Sequence, residues 1–345
     1  MRYLLFSDLH YRESRIKDCE FVLDQIIKIA EKKKVDGIIN GGDTFEDKGM
    51  IRTKCLDSYY NKRKKYKKLW VDIVGNHDQD DRSGKVHSMK VFELIPNSKI
   101  IDKPFFDYEK KILYVPYMHD IKDFLEEIFK KNTISVGEWV LIGHMPVCGA
   151  FMSEHSLDVT GVPLSVCRCF KRVLLGHYHK RHEIENVTYI GSPMQQNFSE
   201  MDQDKGVIIF DTEDDSYEYI EIVGTPRHYS AELYWVDGKP KTSIPAVNKN
   251  DFLRFDVSGD VERVRCVTLD KLSRLVDCKN IKINKEIDEV HISRLNLTPD
   301  EFEDELALIQ KYIDFIASDL DSKRLLDIHL GCTEDNKEEV EECLG

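Results

Sequence analysis

Five short polar clusters in the first half of the chain carry the residue types that hold metal ions. They are Ser7-Asp8-Leu9-His10, Gly41-Gly42-Asp43, Gly75-Asn76-His77-Asp78, Gly143-His144 and Gly176-His177-Tyr178-His179. Each sits at the downstream end of a strand-like apolar run. In four of the five a glycine stands just before the functional residue, where it lets the chain turn sharply and expose the next side chain. Oxygen and imidazole donors without thiolate suit manganese, iron or zinc better than copper(I) or an iron–sulfur cluster. A carboxylate can bridge two cations through its two oxygens. Two cations about 3.5–4 Å apart clamp a phosphoryl group, activate a water and stabilise the leaving oxygen. A lone GH or GD is common by chance. Five clusters in register with strand ends form an ensemble, because buried charged groups need partners or a metal.

The elements that must position these groups alternate between strands and helices. Strand candidates are Tyr3–Ser7, Gly37–Asn40, Trp70–Val74, Ile112–Val115, Val140–Ile142, Val173–Leu175, Thr188–Ile190 and Val207–Phe210. Between the first two, Val22, Ile26 and Ile29 recur at helical spacing, and the helix ends in Lys32–Lys34, where cations suit its dipole. This alternation predicts a layered α/β domain over residues 1–212, and in open α/β sheets ligands gather at the C-terminal ends of the strands. After Asp211 the pattern changes. Tyr217–Val223 alternates like a strand, and strand-like runs at Phe252–Val257, Val264–Leu269, Lys279–Asn284 and Val290–Ile292 predict a small α+β domain over 213–297. Thr298-Pro299-Asp300-Glu301 then makes a capping box. Behind it Phe302, Leu306, Ile309, Ile313 and Ile316 form the stripe of an amphipathic helix, a shorter helix follows near Lys323–Leu330, and an acidic tail ends the chain.

The chain has 345 residues and is 41% hydrophobic, enough apolar material for a full core, so neither a disordered nor a fibrous reading fits. No apolar run approaches the roughly 20 residues that span a bilayer. The N-terminus lacks a signal-peptide layout, and nine irregularly spaced cysteines fit reduced thiols in a cytoplasmic setting. The net charge of −13 looks hostile to nucleic acid, yet it is unevenly placed. Residues 1–212 balance at +1 and 213–297 at −3, whereas 298–345 carry −11.

Taken in order, DxH…GD…GNHD…GH…GHxH resembles the calcineurin-like metallophosphoesterase superfamily over residues 8–179. The resemblance implies a layered sandwich of mixed sheets flanked by helices. It implies one metal on Asp8, His10, Asp43 and His179, and a second on Asp43, Asn76, His144 and His177, with Asp43 bridging. His77 would be the general acid at the leaving oxygen, and Asp78 would orient its ring. Within the superfamily, Val187–Asp211, with its Gly-Ser-Pro, Phe198-Ser199-Glu200 and Lys205-Gly206, is similar to the segment closing the nuclease domain of SbcD-type recombination nucleases, and the compact length and residues 306–330 are closest in appearance to the phage-encoded members.

That resemblance implies a manganese-dependent DNA exonuclease/endonuclease acting on double-strand ends. Residues 1–212 would be the nuclease domain, 213–297 a DNA-contacting cap, and 298–330 the docking element for an SMC-like coiled-coil ATPase of SbcC type. A homodimer is implied as well. A small-molecule or protein phosphoesterase, or a DNA-end tethering scaffold with structural metals, are the alternative readings. Archaeal and eukaryotic members place a second histidine three residues after the bridging aspartate. Here Glu46 stands there, and its role is left open.

Four further features have bland readings beside functional ones. The run Lys62-Arg63-Lys64-Lys65-Tyr66-Lys67-Lys68 reads more readily as a solvated helix end than as a phosphate contact. Arg168–Arg172 and Lys180-Arg181-His182 are the better DNA candidates, and Cys167-x-Cys169 reads as packed thiols. Leu56, Tyr59, Met89 and Phe92, on helices expected near Ile51–Tyr60 and Val86–Ile95, either pack on their own sheet or face a second copy of the chain.

Overall fold

The computed structural model describes residues 1–130, 136–153 and 156–287. The expected helices beyond Thr298, the acidic tail and the strand expected at Val290–Ile292 lie outside the described residues. The chain divides into two compact units. The first comprises Met1–Tyr229, Val247–Leu253 and Cys278–Asn280; the second comprises Ser230–Ala246, Arg254–Asp277 and the residues from Ile281 on.

Two six-stranded sheets build the first unit. In one, Arg2–Phe6, Gly37–Asn40, Leu69–Ile73 and Ser98–Ile101 run parallel, with Gly206–Asp211 and Tyr217–Glu221 added antiparallel beyond Arg2–Phe6. In the other, Ile112–Val115, Val140–His144, Arg172–Gly176 and Val187–Tyr189 are parallel, and short antiparallel strands close both edges. The expected sandwich of mixed sheets flanked by helices is therefore present.

A shared core joins the sheets face to face. Tyr3, Leu5, Ile39, Val71 and Ile73 of the first meet Ile112, Tyr114, Val140, Ile142 and Leu174 of the second. The alternate residues Leu4, Phe6, Ile38 and Trp70 point the other way, into a core with Cys19, Val22, Leu23 and Ile26 of the helix Ile16–Lys32. Burial on both faces explains why these strands read as continuous apolar runs rather than alternating ones.

The basic run at 62–68 is largely committed to its own chain. Arg63 is fully buried, its guanidinium 4.4 Å over the Trp70 ring. Its Nη2 donates to the Trp70 carbonyl and Ser98 Oγ at 3.1 and 2.9 Å, and its Nε lies 3.4 Å from Asp72 Oδ2. Lys62 pairs with Asp24 at 2.6 Å, and Lys68 Nζ donates to the Val35 carbonyl at 2.7 Å. Asp72 also accepts from Tyr59, Trp70 and Asn40. Arg63→Ala would leave this carboxylate without its counter-charge, a loss of roughly 3–5 kcal/mol. Urea unfolding of the metal-free protein measures it, and a loss below about 1 kcal/mol would contradict the assignment.

A four-stranded sheet, ordered Lys239–Thr242, His228–Val236, Phe252–Gly259 and Asn280–Ile287, carries two short helices in the connection between its last two strands, in keeping with the α+β expectation. The strand expected at Val264–Leu269 is not one. Asp260 caps the helix Val261–Arg265 by accepting the Arg263 amide, and Leu269–Ser273 forms a second turn of helix, so Val264, Val267 and Leu272 are buried from this helical stretch. A β-branched run is overruled by a capping aspartate. Tyr217–Glu221 pairs with Gly206–Asp211 and lies in the first unit. No helix among the described residues is long and apolar enough to cross a membrane.

Candidate metal centre

All five polar clusters emerge from C-terminal ends of parallel strands, three from the first sheet and two from the second. Reversing the chain directly after a strand forces unusual backbone. Asp8, His10, Asp43 and His177 all have positive φ, at 57°, 50°, 52° and 106°. Such conformations cost about 1–3 kcal/mol each in non-glycine residues and persist where the surroundings over-determine them. Two glycines are required by close approach rather than by flexibility. A Cβ at Gly75 would lie 2.2 Å from Asp43 Oδ1, and one at Gly176 would lie 1.9 Å from Ser7 Oγ.

The structure brings the expected ligands together in two overlapping sets. On one side, His10 Nε2 and His179 Nε2 lie 3.0 Å apart, with Asp8 in the same group. On the other, Asn76 Oδ1 lies 3.0 Å from both His144 Nε2 and His177 Nδ1. Asp43 Oδ2 faces both sets, 3.8 Å from His10 Nε2 and 3.4 Å from His144 Nε2. Asp8, Asp43 and His144 are essentially inaccessible to solvent. Backbone amides hold the carboxylates in place: His177 N–H reaches Asp8 at 3.2 Å, and His77 N–H reaches Asp43 Oδ1 at 2.8 Å.

The electrostatics favour positive charge at this spot. Burial opposes ionisation of Asp43, yet His144 and His10 hold it well below the usual carboxylate range. Burial alone would lower the His144 pKa, but Asp43 and Asp8 overcome it and raise it to about 9. Burial and the neighbouring His144 push His177 down to about 4, so it presents a neutral ring. Two imidazole nitrogens aimed at each other across 3.0 Å call for a proton or a cation between them. An oxygen-and-imidazole donor set around buried carboxylates fits divalent cations.

His77 sits beside both sets, its ring edge-on to His10 with centroids 4.8 Å apart. Its orientation differs from expectation. Nδ1 donates to the Glu46 carbonyl at 2.7 Å, whereas the Asp78 carboxylate accepts the amides of Thr44, Phe45 and Gly75 at 3.0–3.1 Å. Asp78 therefore fastens the loop of Asp43 to the loop of Asn76 and does not orient the His77 ring. The Glu46 main chain does that instead.

Residues 1–181 match the family described as calcineurin-like phosphoesterase, just over half of the chain. The chain belongs to the calcineurin-like phosphoesterase family. Among curated relatives, it is 28% identical to exonuclease subunit 1 of Enterobacteria phage T4 over 209 residues, covering 57% of this chain and 59% of that protein. It is 24% identical to a component of the nuclease SbcCD from Staphylococcus epidermidis over 288 residues, covering 71% and 74%. It is also 24% identical to the DNA double-strand break repair protein Mre11 of Sulfurisphaera tokodaii over 278 residues, covering 76% and 59%. The chain thus spans less than two thirds of the first of these relatives.

Within this calcineurin-like phosphoesterase, four residues outside the expected site set lie near the centre. Tyr117 lies beyond the end of the Ile112–Val115 strand and stacks on His177 at 6.0 Å. The strand-end rule that picks out the candidate ligands points to it equally well. Glu200 and Lys205 meet His179, and Glu46 meets His10. Of the basic candidates, Arg168 pairs with Glu185, Arg172 with Asp215, and Arg181 lies over the Tyr219 ring. Cys167 is buried, as expected of a packed thiol, whereas Cys169 is exposed, its Sγ donating to the Ser165 carbonyl at 3.5 Å.

Proposed function

We propose that this phosphoesterase is a manganese-dependent DNA phosphodiesterase, the nuclease subunit of a complex with an SMC-like ATPase that processes double-strand ends. The observation that carries the reading is the pair of ligand sets sharing Asp43, with His77 beside them. Three relatives named as nuclease or repair proteins support the choice of DNA. Asp8, His10, Asp43 and His179 would hold one cation, and Asp43, Asn76, His144 and His177 the other. When bound, the cations supply Lewis acidity and lower the pKa of water.

The chain's own groups do the remaining work. Asp43 fixes the spacing of the two sets, and Asp78 locks the loops that carry them. His77, anchored through Nδ1, offers Nε2 to the leaving 3′-oxygen. The part of 213–297 built on the four-stranded sheet serves as the cap, Tyr217–Glu221 belonging to the nuclease domain, and 298–330 as the docking element for the ATPase. The protein pairs with a second copy of itself through the 51–60 and 86–95 region. Tyr59, Met89 and Phe92 there are buried in their own core, so Val91 and Leu94, 47% and 84% exposed, are the residues offered to the second copy.

The test is cleavage of end-labelled duplex DNA against hydrolysis of p-nitrophenyl phosphate, each with manganese and with chelator. Expected is manganese-dependent DNA cleavage abolished by the chelator, with little turnover of the small monoester. A strong preference for the monoester would overturn the reading.

A further inference from the structure

We infer that Glu200 and Glu46 are positioning residues that make the Asp8–His10–His179 side of the centre the tighter of two unequal cation positions. The inference rests on the two-cation reading above and concerns how this chain prepares each ring.

Glu200 lies in the short turn Phe198–Glu200, and its side chain is only 4% exposed. Its Oε1 accepts the Nδ1 proton of His179 at 2.8 Å. Its Oε2 pairs with Lys205 Nζ at 2.7 Å and accepts the Gln196 amide at 3.1 Å. Lys205, equally buried, donates in turn to the His179 carbonyl at 2.8 Å and to Ser192 Oγ and Gln203 Oε1. One buried ion pair thus grips both the ring and the main chain of His179. Closing a turn does not require two buried charges, whose desolvation is expensive. A carboxylate on Nδ1 both fixes the tautomer and makes the ring more basic. With the proton held on Nδ1, the Nε2 lone pair of His179 has to face His10, 3.0 Å away.

His10 has a counterpart. Its Nδ1 lies 3.1 Å from Glu46 Oε2, at ion-pair distance, and Arg12 Nη1 braces the same carboxylate oxygen at 3.3 Å. Both rings on this side therefore have a carboxylate behind them and Nε2 in front. The other side is built differently. His144 Nδ1 meets the Gly41 carbonyl at 2.8 Å, whereas His177 turns Nδ1 inward, 3.0 Å from the Asn76 amide oxygen of the same ligand set, so that Nε2 is its outer nitrogen. Among the described residues, no carboxylate is bonded to the outer nitrogen of either ring. A carboxylate behind a ligating imidazole raises its basicity, and losing such a partner typically lowers metal affinity about 10–100-fold. A neutral carbonyl orients the ring without adding charge. The two positions fill in sequence, the carboxylate-backed one first.

The experiment is a titration of the full chain with manganese alone, following free Mn²⁺ by electron paramagnetic resonance. Wild type should show two steps of different affinity. Glu46→Gln, at a partly exposed position, should weaken the tighter step about 10-fold or more and leave the weaker one in place. Because Glu200→Gln alone strands Lys205, Glu200→Gln/Lys205→Met removes both charges together, and it should weaken the same step by about 10–100-fold. Circular dichroism of the metal-free variants confirms that they fold. Two equal steps in wild type, unchanged constants in both variants, or a loss confined to the weaker step would overturn this inference alone. No manganese binding by wild type would overturn the two-cation reading with it.

Discussion

Asp43→Asn should reduce DNA cleavage at least roughly a thousand-fold, equivalent to about 4 kcal/mol of transition-state stabilisation. The substitution is nearly isosteric, so its effect isolates charge. Asp43 is packed flush against the next loop, since even a methyl group at Gly75 would lie 2.2 Å from its Oδ1. Its Oδ1 accepts the His77 amide, and its Oδ2 stands between His10 and His144. An asparagine can keep the first contact only by turning its NH₂ toward those two rings. The variant then offers a donor where both ligand sets need an acceptor. Manganese titration should show fewer than two ions bound, with both sets affected because they share this one side chain. A variant that binds two ions with wild-type affinity would remove Asp43 from the bridging position.

Much of this centre is legible in the sequence because its geometry is local. Each candidate ligand follows a parallel strand, and strand ends are readable from apolar runs that stop at Gly, Asp or Asn. Asp8, Asp43, Asn76, His144 and His177 are reached in that way, and the fold class comes from the same alternation. What stays hidden are the contacts between segments distant in the chain. Glu200 reaches His179 from 21 residues away, and the Glu46 carbonyl reaches the His77 ring from 31. The family pattern puts Asp78 behind the ring of its sequence neighbour, but a carboxylate beside a tight turn finds backbone amides before it finds an imidazole. The basic run at 62–68 misleads for a related reason. Charge counts describe a solvated helix end, and nothing in the count reveals that Arg63 turns inward to Asp72. In the smaller domain, Val264–Leu269 carries strand-like residues, and only the cap at Asp260 decides for helix.

His77→Ala should lower cleavage of DNA by roughly 10²–10⁴-fold, the range for loss of one acid–base group, while both manganese steps survive. The backbone argues for that separation. The His77 amide, not its ring, holds Asp43 Oδ1, and alanine retains the amide. The ring meanwhile is anchored at Nδ1 by a carbonyl, which leaves Nε2 as the nitrogen available for a proton. Proximity admits a competing role, because His77 lies in one group with His10 and Asp43 that is close enough to share a cation. The two roles differ in what they do to substrates. A proton donor matters when the leaving group is a strongly basic 3′-oxygen and matters little for nitrophenolate, which departs without protonation. Bis(p-nitrophenyl) phosphate should therefore retain turnover within about 10-fold in the variant, against the far larger loss on DNA. A ligand would be missed equally by both esters, and the manganese titration would lose a step. Equal losses on the two substrates, together with weakened metal binding, would move His77 from the proton-transfer role into the ligand set.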